Sequence, residues 1–327
     1  MTDELNQPRF QRAAEYALGG SFARPLNPRV RASGILIAYF LAVLLAAALL
    51  APWAFQLGQW ASGEAAVLKG LGTQPFHRYL NRCLLLAALA GLWPLARAFQ
   101  LTNARALGLA WPPGSRRMLG LGLAAGFGSL LGAGLLMVLA GVRTFNFSHA
   151  PQVLLELAVN ATLSAVAVAV LEELFFRGVV FGALRRSLSV PAALVASSVI
   201  YSALHFLARV EHTGPVGWSS GLSLLPAMLS GIVAPGNLVP AGLTLAVGGA
   251  ALSLAYQRTG SLWFSIGLHA GWVFWLKVFK TVTSPGAAAG GAFWGTEKLL
   301  DGWLAFLVMA ILLAGVARLP QPPEKTS

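Results

Sequence analysis

"AVAVAVLEELFFRGVVFGAL", Ala165–Leu184, is the stretch on which the reading of this chain turns. Glu172, Glu173 and Arg177 stand close together in a run otherwise apolar enough to cross a membrane. Each charge placed at bilayer depth costs at least ~2.5–3.5 kcal/mol on insertion scales. Accepting that cost three times in one stretch implies a use for the charges.

The rest of the chain supplies the setting. Hydrophobic residues make up 57% of the 327 residues and charged residues only 10%, against roughly 25% charged in soluble domains. A membrane span needs about 20 mainly apolar residues. Runs of this kind occur at Gly34–Phe55, Asn81–Phe99, Met118–Val142, Val153–Phe176, Val190–Ala208, Leu238–Tyr256, Leu262–Phe279 and Leu300–Leu319. Asn81–Phe99 is interrupted by Pro94 and Arg97, and Leu222–Val233 is too short to span, so it reads as a re-entrant or surface helix. The expected fold is an all-α, polytopic membrane helix bundle of about eight transmembrane helices.

Segment by segment, the chain reads as an N-terminal cytoplasmic tail (1–33), N-terminal transmembrane helices (34–152), a core (153–279), a loop and last helix (280–319) and a disordered tail (320–327). The tail Met1–Arg31 is polar and has no apolar h-region of a cleavable secretion signal. "SPGAAAGGAF", Ser284–Phe293, has the composition of a flexible loop. Lys and Arg gather on the side that holds both termini, as in Arg97, Arg105, Arg116, Arg117, Arg185 and Arg186. This bias predicts an integral cell-membrane protein with both termini cytoplasmic.

The net charge of +12 does not form a basic face interleaved with aromatics, so no nucleic-acid partner is expected. The single cysteine, Cys83, excludes an internal disulfide and a cysteine-rich metal cluster. It lies in an apolar run with no supporting base and reads as structural. No internal repeat is visible, which counts against a transporter built from duplicated halves.

On a helix, residues four apart share a face. Glu173 and Arg177 have that spacing, with the acid toward the N-terminus, the better order for an ion pair. Glu172 points elsewhere and is left to face the bundle interior, where a carboxylate suits general-base work. Of the five histidines, His77, His149 and His212 fall in polar connections. His205 in "VIYSALHFLA" and His269 in "SIGLHAGWVF" lie inside apolar runs. An intramembrane histidine can simply bridge helices, but two of them with a glutamate describe a polar site.

These residues also resemble a known family. "EELFFR" is similar to the E-E-x-x-x-R motif of the CPBP family, the CAAX-type and bacteriocin-processing intramembrane proteases that include proteins like lysostaphin resistance protein A. "YSALH" resembles its second motif, with Tyr201 where phenylalanine is usual, and "LHAGWV" its third, with Val273 where Asn or Asp is usual. The resemblance covers about Val153–Phe279 and implies a CAAX-protease-like core. It implies hydrolysis of a peptide bond in a membrane-embedded or lipid-anchored protein or peptide, at the lipid bilayer. Carried over by position, Glu172 and His205 would activate a water and His269 would stabilise the oxyanion. Glu173 and Arg177 would hold the site or the substrate. If a metal takes part, Glu172, His205 and His269 are its ligands, a plausible zinc set; the metal-free version is slightly preferred. Valine at 273 can neither bind a metal nor donate a hydrogen bond. A catalytically silent membrane scaffold or immunity-type protein therefore stays open as an alternative, as does a proton-coupled transporter.

Overall fold

The computed structural model describes residues 32–64 and 68–320. Both expected terminal tails lie almost wholly outside the described residues. The fold is all-α apart from one small sheet. In chain order the helices are α1 (Ala32–Glu64), α2 (Lys69–Gly72), α3 (Phe76–Ala98), α4 (Ser115–Leu139) and α5 (Pro151–Glu173). Then come α6 (Val190–His205), α7 (Ser220–Val233), α8 (Leu243–Thr259), α9 (Trp263–Val282) and α10 (Trp303–Val316). Two short strands, β1 (Arg143–Phe145) and β2 (Thr283–Pro285), pair antiparallel with Thr144 opposite Ser284. The loop expected at Ser284–Phe293 thus begins in a strand, held where buried Arg143 donates to the carbonyl and hydroxyl of Thr283.

Five helical stretches are long and apolar enough to cross a membrane: Ser33–Glu64, Phe76–Ala98, Ser115–Leu139, Pro151–Leu184 and Pro235–Thr259. By length and composition this is a multi-pass membrane protein. The other three expected spans are helical but fall outside that set. α6 and α10 are only 16 and 14 residues long, and α9 carries His269, Lys277 and Lys280. Apolar runs in sequence continue past helix ends, so composition alone overstated their length. α7, at 14 residues, is the short helix expected. Pro94 and Arg97 do not stop α3, which runs through both.

The chain divides into two compact units. One comprises Gln100–Ser202 and the chain from Leu238 onward, and the other Ala203–Asn237 with the described part of Leu26–Phe99. In the first unit, α9 lies against α4 and α5 and α8 lies against α10. Its core gathers Leu130, Leu252, Phe264, Leu268, Trp272 and Met309. The α4–α9 contact is made by glycines on both helices, Gly122 and Gly126 against Gly267 and Gly271. A Cβ on Gly126 would overlap the carbonyl of Leu268, and one on Gly267 the carbonyl of Leu119. Small residues four apart let membrane helices approach backbone to backbone. Trp272 sets the rotation of α9 by donating its indole N–H to Ser129 on α4 at 3.1 Å. In the second unit, α1 packs on α3 and α7 around Ala47, Ala51, Leu80, Leu224 and Met228. Cys83 is buried in that cluster as a free thiol.

Candidate active site

The α5 helix starts at Pro151, whose missing N–H costs nothing at a helix's first turn. Past Glu173 it widens into a π-helix, Leu174–Phe181. Such segments concentrate at functional sites. The EELFFR residues therefore sit where α-helix passes into π-helix.

Glu173 is fully enclosed, and its Oε1 accepts from Arg177 Nη1 at 2.8 Å. The guanidinium is 1% exposed and lies over the Tyr201 ring, 4.5 Å from its centroid, and beside Phe176 at 5.6 Å. Its Nη2 reaches the Gly249 carbonyl of α8 at 3.4 Å. Breaking one partner of such a buried pair costs about 3–5 kcal/mol, because a naked charge is left behind.

The same Glu173 oxygen meets His269 Nδ1 at 2.8 Å. A carboxylate paired with arginine has no proton to give, so Nδ1 is the donor here. His269 Nε2 then faces Glu172, at 3.8 Å from its Oε2. That is too far for a direct hydrogen bond. The Glu172 side chain is 30% exposed, whereas His269 is 5% exposed. Two turns on along α9 and two turns back along α5, Lys277 donates to Ser164 at 2.6 Å, as antiparallel α5 and α9 require. The imidazole is fixed from two more sides, by an edge contact with Tyr201 (centroids 6.4 Å) and by Trp272 at 6.3 Å.

The structure thus brings together Glu172, Glu173, Arg177 and His269. It joins Arg177 to Glu173, and gives Glu172 the neighbour His269. His205 ends α6 as an exposed side chain in the second unit. Val273 is half-buried one turn past His269. Among the described residues no group of three or more His, Cys, Asp or Glu side chains is placed to hold a metal ion. The site also uses residues that spacing did not single out. In the sequence Tyr201 shows only as a variant of a motif residue, and the glycines of α4 and α9 carry no polar group that marks them. Their G-x-x-x-G spacings, Gly122–Gly126 and Gly267–Gly271, were the available signal.

The family described as type II CAAX prenyl endopeptidase, Rce1-like, matches residues 154–275. Those residues form an Rce1-like domain. It runs from the first turn of α5 into α9 and contains Glu172, Glu173, Arg177, His205 and His269. No curated protein and no solved structure matches the chain. Membership of the Rce1-like segment in a family of endopeptidases suggests protease activity in the membrane, on protein or peptide substrates.

Proposed function

We propose that the protein is an intramembrane endopeptidase that hydrolyses a peptide bond with a water activated at Glu172. The observation that carries this reading is the line Arg177–Glu173–His269–Glu172. A buried ion pair grips one face of the imidazole and leaves the other facing a half-open carboxylate. In this reading a water between Glu172 and His269 Nε2 gives its proton to Glu172, and the hydroxide attacks the scissile carbonyl. The tetrahedral intermediate collapses, and the leaving amine takes the proton back from Glu172. Neutral His269, with its proton on Nδ1, acts here as an acceptor that orients the water. His205 enters on the sequence pattern alone, as a second group at the water. The chain crosses the membrane eight times in this proposal, with both termini cytoplasmic, as its Lys and Arg distribution favours.

The test uses the full chain in lipid vesicles. Its probe is a fluorophore–quencher peptide ending in a prenylated Cys-aliphatic-aliphatic-X sequence, the chemistry in the family's description. Glu172→Gln keeps the shape and removes the base, so turnover should fall by ~10²–10⁴. Folding should change little, since an amide is cheaper than a carboxylate to enclose. Equal turnover by wild type and variant would remove Glu172 as the base, and no turnover by the wild type would leave the chain as a silent scaffold. A strong chelator should leave the wild-type rate unchanged; loss of activity with rescue by zinc would recast Glu172 and His269 as ligands.

A further inference from the structure

In the eight-span reading α9 crosses the membrane, and it carries two lysines, Lys277 and Lys280. Lys280 stands near the helix end at Val282, where a lysine can reach the polar interface with its long stem. Lys277 is placed differently. Its ammonium is turned onto the neighbouring helix, where it donates to the Ser164 hydroxyl of α5 at 2.6 Å. Among the described residues that serine is its one hydrogen-bond partner, and no carboxylate is paired with it. An ammonium has three donors, so two are left over. A charge kept within a membrane helix marks a site, and a cation there calls for an anion.

The position of Lys277 relative to Glu172 and His269 follows from helical register. Glu172, Val168 and Ser164 recur every four residues on one face of α5, and His269, Val273 and Lys277 do the same on α9. The two helices run antiparallel, with Glu172 facing His269 at one end of this seam and Ser164 bonded to Lys277 at the other. Val168 and Val273, both half-buried, stand between the two ends. At 1.5 Å of rise per residue, two turns separate the ends by ~12 Å. An extended peptide advances about 3.3–3.6 Å per residue, so three residues cover ~10–11 Å. Two would stop short of the lysine, and four would run past it.

Resting on the protease reading above, we propose that Lys277, held by Ser164, binds the free C-terminal carboxylate of the substrate and so sets where the chain is cut. With the scissile carbonyl at Glu172 and His269, the three residues after it lie extended along the seam. Val168 and Val273 give their side chains an apolar surface. The terminal carboxylate meets the ammonium away from water, where a charge-assisted hydrogen bond is strong. A chain that continues past this point has no anion to offer, so Lys277 selects free C-termini over internal segments.

The test uses the full chain in vesicles and two forms of the prenylated peptide probe, each with its quencher on a side chain. One form ends in a free carboxylate and the other in a carboxamide. Wild type should cleave the free acid with kcat/KM higher by ~30–10³-fold, the range for removing one partner of an enclosed charge pair. Lys277→Met keeps most of the stem and removes the charge. It should lose the preference by slowing on the acid while cleaving the amide at the wild-type rate, which also shows that it has folded. Lys277→Arg should keep most of the preference, and Ser164→Ala should weaken it a few-fold. The assignment is overturned if wild type cleaves acid and amide alike, if Lys277→Met keeps the preference, or if it slows equally on both probes. In each of those cases wild type still cleaves, and the protease reading survives. If wild type cleaves neither probe, the protease reading itself has failed and the Lys277 role falls with it.

Discussion

Two helix pairs in this molecule use small residues in opposite ways. In the first unit, α4 and α9 set glycine against backbone on both sides, so no added Cβ fits at Gly122, Gly126, Gly267 or Gly271. In the second unit, α1 and α3 set glycine against a side chain. Gly91 receives the ring of Tyr39, whose hydroxyl donates to the Ala88 carbonyl at 2.7 Å. Alanines such as Ala38, Ala42, Ala87 and Ala90 complete that face and leave a groove of about 570 Å³ between the helices. The closed pair carries His269 between two of its glycines. In the proposed reaction the His269 imidazole needs to be held within a fraction of an ångström, and backbone contact is the stiffest way to hold a helix. The α1–α3 pair carries none of Glu172, Glu173, Arg177 and His269, and its looser packing is tolerable.

Substitutions should separate the two pairs sharply. The largest effect is expected from Gly271→Leu, whose side chain would enter the backbone of α4 at Gly126 and Phe127. The helices must part, with a loss of more than ~3 kcal/mol, at the upper end of overpacking. Displacing His269 by an ångström adds a rate loss of ~10²-fold or more. Thermal unfolding in detergent and the vesicle assay measure the two losses.

Gly91→Ala tests the other pair. Its new methyl meets only the Tyr39 ring, which can swing into the groove, so less than ~1 kcal/mol should be lost, without effect on turnover. A loss as large as that of Gly271→Leu would erase the distinction. Tyr39→Phe belongs at the same low end. It deletes one hydrogen bond to a carbonyl already within a helix, for about 0.5–1 kcal/mol by the same melting measurement.

Some of this was legible in advance because it is local. The Glu173–Arg177 pair follows from a spacing of four on one helix and needs no other element. α3, α4 and α5 follow from apolar runs. The C-terminal end of α6 and both ends of α10 were not legible, since an apolar run does not say where the helix inside it stops. Strand β1, and with it the buried contact of Arg143 with Thr283, depends on a partner far along the chain. The Rce1-like match covers the segment that holds the sequence motifs, without saying how its residues touch.

The amino-acid sequence by itself determined that the chain is a multi-pass helical membrane protein with ionisable groups inside its apolar runs. Both facts rest on transfer free energies and helical periodicity, which act residue by residue. The tertiary structure decided what those groups do to one another. Glu173 divides its oxygen between Arg177 and His269 only because glycine contact draws α9 onto α4 while α9 also lies along α5. That arrangement fixes the imidazole tautomer and turns Nε2 toward Glu172. Hydrogen-bond direction depends on which atoms meet, and residues almost a hundred positions apart meet only when helices pack.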